Sequence, residues 1–251
     1  MAVIFQRMVR GEHVEVRSAG RTRRLYVDGV LHTQHNPAMP LTGDIWDPLG
    51  LSALLLPPEK TRRVLLLGVG GGAAIHLLRR FIQPSLLVGV ELDELRIELA
   101  RRYFGLQEVA GVQLRSAEAA HWLENYDGPD FDLIIDDLFG QKDGDPMRAI
   151  DLDQPWLNAL LRPLTRHGIL TINLPDRESM THALQKVGPA LRRRFSGAFR
   201  FSSPQSENAI VAFGPAAMDR QALRRRLADH PSMASQRAKN LVRFRIYALW
   251  P

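Results

Sequence analysis

A glycine-rich run and an acid about twenty positions beyond it are the first candidates for chemistry. The run Gly68-Val69-Gly70-Gly71-Gly72 follows the apolar segment 64–67 and precedes a helical segment that starts at Ala73. Glycines at such a turn let the backbone bend tightly and approach a ligand without Cβ clashes. Glu91 ends the next apolar segment, where a carboxylate can accept hydrogen bonds from both ribose hydroxyls. The sequence therefore predicts a nucleoside site that contains Gly68, Gly70, Gly72 and Glu91.

Two consecutive acids, Asp136 and Asp137, end the apolar segment 131–135. Two carboxylates at one crevice influence each other's protonation, which can hold one of them ready as a general base. Side chains alternate between the two faces of a strand, so the alternative is that only one of the two acids faces the crevice. We predict both as catalytic candidates.

These residues need a scaffold that brings the ends of several strands together, and the hydrophobic pattern predicts one. Strands are predicted at 63–67, 86–91, 112–115, 132–136 and 168–173, and helices at 73–81, 92–103, 117–124, 147–161 and 177–195. Apolar strands separated by helices indicate a parallel sheet covered on both faces. The last two strands, 199–202 and 208–213, lack an intervening helix and are expected to pair antiparallel. The prediction is an α/β fold with a seven-stranded, mostly parallel sheet and a C-terminal antiparallel hairpin.

The first sixty residues follow a different pattern. Short extended runs at 13–17, 24–27 and 30–34 are separated by turn residues, and Asp28-Gly29 is a strong hairpin signal. A proline-rich stretch follows. We predict a small β-hairpin appendage and linker over residues 1–58, and one larger domain with a basic helical tail over residues 59–251.

Composition narrows the classes of protein. With 251 residues, 45% hydrophobic and 24% charged, the chain is of ordinary globular composition, and the absence of Cys excludes thiol nucleophiles, disulfides and Cys-ligated metals. No apolar run approaches the ~20 residues of a membrane span and the start lacks a signal-peptide pattern, so we expect a cytoplasmic protein without a membrane partner. Eleven Arg and one Lys lie beyond residue 190 against three acids, and a solvated helix face explains this charge better than nucleic-acid binding.

The spacing of the glycines indicates which nucleoside fold this is. A dinucleotide fingerprint has glycines at relative positions one, three and six, whereas this loop has them at one, three and five, with Ala73 at six. The spacing resembles the Rossmann-like fold of the class I S-adenosylmethionine-dependent methyltransferases. In that fold, residues at the position of Ser116-Ala117-Glu118 bind the adenine. The resemblance therefore makes Ala117 and Glu118 nucleoside-binding candidates. A helix cap is an equally simple account of Glu118.

Four motifs together resemble the spermidine synthase, or polyamine aminopropyltransferase, family over residues 24–213. They are Leu25-Tyr-Val-Asp-Gly-Val, Val64-Leu-Leu-Leu-Gly-Val-Gly-Gly-Gly, Val90-Glu-Leu-Asp-Glu with Leu99-Ala-Arg-Arg-Tyr-Phe, and Phe131-Asp-Leu-Ile-Ile-Asp-Asp. The resemblance implies a transferase of polyamine biosynthesis that binds decarboxylated S-adenosylmethionine and passes its aminopropyl group to a small amine such as putrescine. It also implies a homodimer paired through the N-terminal strands. By similarity, the three glycines and Glu91 line the nucleoside, and Asp137 matches the first acid of the family's D-S-S-D-P segment.

The departures from the family pattern fall on the acceptor side. Gly71 stands where the family's glycine loop has an Asp that helps to hold the aminopropyl amine, and Gly140 stands where D-S-S-D-P has its second acid. The family's hairpin Gln aligns with His32, and Gln34, two residues on, is expected to share its strand face and substitute for it. We therefore expect a retained nucleoside half and a changed acceptor half.

An insertion after Gly140 offers a replacement for the lost acid. Asp145-Pro146 is a candidate for the displaced Asp-Pro of the family, which makes Asp145 a third catalytic candidate, and Asp143 lies near it. No metal is expected, because His32 and His35 lack a third ligand nearby.

Three functions remain open from the sequence. The first is an aminopropyltransferase-like enzyme, for which an acidic pocket is expected. The second is a methyltransferase that uses intact S-adenosylmethionine, which the loss of the Asp at Gly71 favours and for which a neutral or basic pocket is expected. The third is a nucleoside-binding protein without turnover, in which Asp136, Asp137, Asp143 and Asp145 would all point away from the crevice.

Overall fold

The N-terminal segment is a four-stranded antiparallel sheet. A computed structural model describes residues 1–107, 109–142 and 145–250. The strands of the N-terminal sheet, which have the same order in space as in the chain, are β1 (Ala2–Val9), β2 (Glu12–Ala19), β3 (Thr22–Val27) and β4 (Val30–His35). Asp28 and Gly29 join β3 to β4 with φ of 47° and 80°, as the hairpin signal predicts. Strand β1 is not predicted from the sequence, because its turn is made by Arg10 and Gly11, at φ of 53° and 88°, rather than by a usual Asn-Gly or Asp-Gly pair.

The linker forms short helices, which lead into a sheet of eight strands in the described part of the chain. The helix α1 (Trp46–Leu51) is followed by single 3₁₀ turns at Ser52–Leu55 and Pro58–Lys60. The remaining strands are β5 (Arg63–Leu67), β6 (Leu86–Glu91), β7 (Val112–Ser116), β8 (Phe131–Asp136), β9 (Phe139–Lys142), β10 (Asp145–Arg148), β11 (Leu164–Leu174), β12 (Gly197–Ser203), β13 (Ser206–Gly214) and β14 (Arg245–Trp250). The large sheet has the order β14-β12-β13-β11-β8-β5-β6-β7, and β9 and β10 form a separate hairpin.

Helices cover both faces of the large sheet. They are α2 (Ala73–Phe81), α3 (Glu94–Phe104), α4 (Ala119–Glu124), α5 (Gln154–Leu161), α6 (Arg177–Arg194), α7 (Arg220–Asp229) and α8 (Gln236–Lys239), with a 3₁₀ turn at Pro231–Met233. One buried cluster joins the sheet to α1, α2 and α7, and a second joins it to α4, α5 and α6. Strands β5, β6, β7, β8 and β11 run parallel, whereas β13, β12 and β14 are antiparallel, so the α/β prediction is confirmed.

Two predictions about elements need correction. The large sheet has eight strands rather than seven, because the tail that we predict as helical also forms β14, which pairs antiparallel with β12. Ile246 and Trp250 are buried there, but Ala248 between them is exposed, so the segment shows no period-two pattern that would predict a strand. Helix α5 begins at Gln154 rather than at residue 147, because Asp153 caps it by accepting from the Trp156 amide and Pro155 occupies its first turn.

The N-terminal sheet packs on α3 of the larger unit. Val14, Val16, Leu25 and Val27 form one buried cluster with Leu95, Leu99 and Phe104. We propose that the boundary between the N-terminal unit and the larger domain lies between residues 58 and 59. None of the described helices is long and apolar enough to cross a membrane.

Candidate active site

A cavity of about 630 Å³ opens at the carboxyl ends of β5, β6 and β8. Its floor includes Gly68, Val69 and Gly70, and one wall is formed by β4 residues of the N-terminal sheet, among them His32. Open parallel sheets bind ligands at this edge, where crossover connections diverge. The strand order divides the cavity at β5 into two halves. We call the half beside β6 and β7 the nucleoside half and the half beside β8, β11 and β13 the acceptor half, after the ligands that the sequence predicts for them.

The glycine loop can be built only from glycines at its two ends. Gly68 has φ +84°, and a Cβ there would overlap the backbone oxygen of Asp137. Gly72 has φ +85°, and a Cβ there would overlap the Leu106 side chain. Both positions combine the left-handed region with close packing, so any side chain would move the loop.

Glu91 holds the loop in shape from the adjacent strand. Its side chain is 5% exposed, Oε2 accepts from the amides of Val69 and Gly70 at 3.0 Å each, and Oε1 accepts from the Asp93 amide at 3.2 Å. A carboxylate has about four acceptor positions, so room remains for a hydroxyl group. Glu91 thus has a structural role in the loop that its position in the sequence did not indicate, and it stays the predicted ribose contact.

A threonine of the N-terminal sheet completes the loop. Thr33 is 1% exposed, and its Oγ1 accepts from the Gly71 amide at 2.8 Å and donates to the His32 carbonyl at 2.6 Å. A Cβ at Gly71 would lie 2.8 Å from the Thr33 methyl carbon, so an Asp at this position could not fit without displacing Thr33. Thr33 thus leaves no room for a Cβ at Gly71, the position at which the resembled family has an acid.

The adenine candidates lie at the nucleoside end. Ala117 and Glu118 line the cavity, as does Leu92, a large apolar side chain that is 65% exposed. The Glu118 carboxylate accepts from the Ala120 amide at 3.0 Å and from the His121 amide at 2.7 Å. Glu118 therefore caps α4, and it also lines the cavity.

The two consecutive acids have different surroundings. Asp136 is fully buried, and its Oδ2 accepts from Arg148 Nη2 at 2.7 Å and from Trp156 Nε1 at 2.8 Å. Asp137 lines the cavity, and its Oδ1 accepts from Asn173 Nδ2 at 2.7 Å. The alternation of strand side chains thus separates them, and Asp136 has a structural ion pair in place of the catalytic position that we predict for it.

Burial raises the pKa of Asp137 to about 7, and the nearby charges of Asp136 and Glu91 act in the same direction. The hydrogen bond from Asn173 and the charge of Arg148 oppose this rise. A carboxyl group with a pKa near the working pH is partly ionised and can accept a proton during a reaction.

The orientation of the Asn173 amide is fixed from its other side. Asn173 is 1% exposed, its Oδ1 accepts from Asn208 Nδ2 at 2.9 Å, and its backbone oxygen accepts from Arg148 Nη1 at 2.7 Å. Asn173 and Asn208 both line the cavity. Neither residue is among the predicted site residues, and neither are Arg148 and Trp156. The signal available for Asn173 is a polar residue near the carboxyl end of a buried strand.

Gln34 does not line the cavity, in contrast to the prediction. Its Oε1 accepts from Arg24 Nε at 2.6 Å, and its Nε2 donates to the Thr42 carbonyl at 3.3 Å. The strand pair β3–β4 has a register shift between Leu25 and Tyr26, which places an extra residue, His32, in β4. Such a bulge breaks the alternation on which the shared face depends. His32 lines the cavity, and burial lowers the pKa of its imidazole to about 4, so it is neutral at pH 7.

The remaining candidates are only partly described. The backbone of Asp145 pairs with Lys142 in the β9–β10 hairpin, and its side chain lies outside what the structure describes. Asp143 lies outside the described residues. Within the described ranges, no group of three or more His, Asp or Glu side chains is arranged to hold a metal ion.

Comparison with curated proteins confirms the resemblance that the motifs indicate. The chain is 26% identical over 170 residues to a polyamine aminopropyltransferase of Vibrio vulnificus, covering 64% of this chain and 52% of that protein. It is 24% identical over 139 residues to polyamine aminopropyltransferase 2 of Caldanaerobacter subterraneus subsp. tengcongensis, covering 55% of this chain and 44% of that protein. The chain thus spans about half the length of these relatives. No family model matches it.

Solved structures establish the class of fold. A probable spermidine synthase from Corynebacterium glutamicum superimposes with a TM-score of 0.69 at 16% identity, over 92% of this chain and 88% of that one. A spermidine synthase in complex with the transition-state analogue AdoDATO gives 0.64 at 14% identity, over 91% and 78%. Human methyltransferase-like protein 13 in complex with SAH gives 0.58 at 18% identity, over 74% and 87%. The protein has the Rossmann-like methyltransferase fold, and both its sequence and its architecture are similar to those of the spermidine synthases.

Proposed function

We propose that the protein is a spermidine synthase-like transferase, which binds a thionucleoside of the S-adenosylmethionine type and transfers an aminopropyl group to an amine. The observation that carries the proposal is the position of Asp137, at the cavity and directly against the glycine loop. A base at this place lies between a nucleoside half and an acceptor half. The curated relatives, named polyamine aminopropyltransferases, support the same reaction.

The nucleoside half offers the hydrogen-bond acceptor and the apolar surface that binding of a thionucleoside would use. The backbone of Gly68 and Gly70 lines the cavity, and Glu91 retains an acceptor position for a ribose hydroxyl. Leu92 and Ala117 provide an apolar surface for the adenine. We assign Gly68, Gly70, Glu91, Ala117 and Glu118 to this half. Gly72, which we also predict as a nucleoside residue, does not line the cavity and shapes the loop against Leu106 instead.

Asp137 is the residue that we assign to proton transfer. In aminopropyl transfer, a neutral amine attacks the methylene carbon beside a sulfonium, the carbon–sulfur bond breaks, and its electron pair remains on sulfur. The new ammonium then loses a proton, which the ionised Asp137 can accept. Asn173 holds Oδ1, and we assign Oδ2 to the acceptor.

A methyltransferase that uses intact S-adenosylmethionine is the second candidate. It is favoured by Gly71, where the resembled family has an acid that binds the aminopropyl amine and where Thr33 leaves no room for a Cβ. A protein without turnover is disfavoured by Asp137, which borders the cavity rather than pointing away from it. We also propose a homodimer in the cytoplasm.

The test is a calorimetric titration with S-adenosylmethionine, its decarboxylated form and methylthioadenosine, followed by an assay of methylthioadenosine release with amines. The proposal expects tighter binding of the decarboxylated form, and a loss of turnover of about 10²-fold or more in Asp137→Asn with nucleoside binding kept. Asp130→Asn, at the opposite end of the same strand, is the matched control and should retain activity. Tighter binding of intact S-adenosylmethionine would favour the methyltransferase, and failure to bind all three would end both.

A further inference from the structure

A buried ion pair lies directly behind the residue that we assign to proton transfer. Asp136 is the last residue of β8, comes directly before Asp137, and accepts through Oδ2 from Arg148 Nη2 at 2.7 Å. Trp156 of α5 donates to the same oxygen at 2.8 Å. The Asp136 side chain is fully buried and that of Arg148 is 6% exposed, so both charges are removed from water. Because neutral side chains can replace such a pair without loss of stability, the pair needs a reason besides stability.

Arg148 also contacts the residue that orients Asp137. Its Nη1 donates to the backbone oxygen of Asn173 at 2.7 Å, and the Asn173 side chain donates to Asp137 Oδ1 at 2.7 Å. The third nitrogen, Nε, donates to the carbonyl oxygen of Ile150 at 3.0 Å. One guanidinium group thus joins the carboxyl end of β8 to that of β11 and to the segment after β10. The position of the Asn173 amide, and with it the orientation of Asp137, depends on this group.

The two charges of the pair act on Asp137 in opposite directions. Burial raises the pKa of Asp137 to about 7, and the charges of Asp136 and Glu91 raise it as well. The hydrogen bond from Asn173 and the charge of Arg148 lower it. The effects of Asp136 and Arg148 therefore partly cancel while both are present, and removal of one charge leaves the other unopposed.

We propose that Asp136 and Arg148 are positioning residues for the proton transfer at Asp137, an inference that rests on the transferase activity proposed above. Arg148 fixes the Asn173 amide that holds Oδ1, and it neutralises the carboxylate next to Asp137 in the chain. That carboxylate without Arg148 would hold the proton on Asp137, whereas Arg148 without the carboxylate would make Asp137 a weaker base. The intact pair leaves Asp137 partly ionised and able to accept the proton of the new ammonium.

Asp136→Asn tests this role, because the amide is close to the carboxylate in size and keeps an oxygen for Arg148 and Trp156. The like charge is lost and the guanidinium charge stays, so Asp137 should bind its proton about tenfold more weakly or more. With decarboxylated S-adenosylmethionine and 1,4-diaminobutane, the acidic limb of kcat/KM against pH should move to lower pH. In Asp136→Asn/Arg148→Met both charges are lost, and the limb should lie between those of Asp136→Asn and the wild type. A purely structural pair would lower stability or activity without moving the limb.

Proton binding can also be measured without turnover. In protein with isotope-labelled aspartate, the NMR signal of the Asp137 carboxyl carbon, identified by its loss in Asp137→Asn, is followed against pH. Asp219→Asn, which removes the acid of an exposed ion pair with Arg225, is the matched control and should leave the titration in place. Asp143 and the side chain of Asp145 lie outside the described residues, and every variant keeps them, so the comparison does not depend on them.

The two readouts separate failure of this inference from failure of the proposed function. An unmoved Asp137 titration in Asp136→Asn would overturn the inference even if amines react, and the transferase proposal would then stand. A double variant that titrates like Asp136→Asn would overturn the role of Arg148. A titration that moves as expected in a protein that turns over no amine would confirm the effect of the pair on Asp137 and overturn the transferase proposal.

Discussion

Two identical side chains next to each other in the chain have opposite environments in this protein. Asp136 is paired with Arg148 and Trp156 inside the fold, and Asp137 borders the cavity with Asn173 as its partner. A buried ion pair maintains structure mainly because removal of one partner leaves the other charge unpaired. A half-buried acid with a single neutral partner is instead free to change its protonation. The chemical role of each acid is set by its neighbours.

Asn173→Ala is expected to raise the pH at which the proposed reaction becomes active. The Asn173 hydrogen bond lowers the pKa of Asp137, so its loss moves that pKa further above about 7. Because Asp137 must be ionised to accept a proton, the acidic limb of the profile of kcat/KM against pH should move to higher pH, and kcat at pH 7 should fall about tenfold. Asn158→Ala, on the exposed face of α5, should leave the profile in place. An unmoved limb in Asn173→Ala would contradict the positioning role.

At the residue scale, the sequence predicted the positions of chemical groups better than their directions. Gly68, Glu91 and Asp137 could be chosen because each follows an apolar strand, which is a local pattern. The direction of the Asp136 side chain could not be predicted, because it depends on which face of β8 packs against α5. Gln34 failed for a similar reason: an extra residue in β4 changes the face without any change in composition.

The glycine loop connects three elements, and this makes its geometry sensitive to single atoms. Glu91 of β6 and Thr33 of β4 hold its amides, and the backbone after β8 packs against Gly68. The loop is therefore fixed from both halves of the cavity and from the N-terminal sheet. Preorganised backbone amides of this kind reduce the ordering that a ligand must cause on binding.

Gly68→Ala should weaken nucleoside binding at least tenfold and lower the free energy of unfolding by about 1–3 kcal/mol. The added Cβ overlaps the Asp137 carbonyl oxygen at a φ of +84°. Gly105→Ala is a matched control, because Gly105 has φ +74° with open space around its Cβ position. It should cost about 1 kcal/mol and leave binding unchanged. Calorimetric titration and urea unfolding measure both quantities, and equal binding losses in the two variants would contradict the close-packing explanation.

A stacked pair of histidines joins β4 to α2 and should make the protein sensitive to acid. The rings of His35 and His76 lie 3.7 Å apart at 11°, and burial lowers the pKa of His35 to about 3 and that of His76 below its usual value. The unfolded state therefore binds protons first as the pH falls below 6.5, so stability is present above 6.5 and is lost toward pH 3. At pH 5 the loss from His35 alone is about 2 kcal/mol.

The variant His35→Phe tests this dependence, because it keeps a ring in the stack and removes its titration. Urea unfolding of the wild type at pH 7.5 and pH 5 should give a drop in the free energy of unfolding that is larger than that of the variant by about 1–2 kcal/mol. Substitution of His13, which lies outside the stack, should not reduce the drop. Equal drops in wild type and His35→Phe would mean that the pair is not the origin of the acid sensitivity.

At the scale of elements, turn chemistry decided which predictions succeeded. The Asp28-Gly29 pair marks its hairpin because these residues suit left-handed backbone, whereas Arg10-Gly11 makes the same kind of turn with an unfavoured residue. Strand β14 is recognisable only from its pairing with β12, which buries Ile246 and Trp250. Strand β12 lies far earlier in the chain, and the residues next to β14 are rich in arginine. Long-range pairing of this kind has no local signal.

For the molecule as a whole, the N-terminal sheet leaves one edge and several apolar side chains exposed. Strand β1 is the outer strand of that sheet, and Met1, Val3, Ile4 and Met8 are 69%, 47%, 37% and 62% exposed. Exposed apolar residues on an edge strand indicate a contact with another chain. A second copy of the same chain is the occupant that we predict.

The double variant Ile4→Lys/Met8→Lys should be a monomer where the wild type is a dimer. Like charges would face each other across a symmetric contact, and the apolar surface would be lost. Sedimentation equilibrium at micromolar concentration measures the mass, and Val242→Lys, which changes an equally apolar residue that is 40% exposed elsewhere, should remain a dimer. A monomeric wild type, or a double variant that still dimerises, would contradict the prediction.

The hydrogen bond from Gly71 to Thr33 limits how modular the protein can be. The nucleoside loop belongs to the large sheet, yet part of its shape is supplied by a strand that lies about forty residues earlier in the chain. The N-terminal sheet is therefore not an interchangeable attachment: a graft that replaces it must bring a small hydroxyl residue to the same point, or the recipient's loop must change with it. During evolution, the hairpin and the loop would have to vary together.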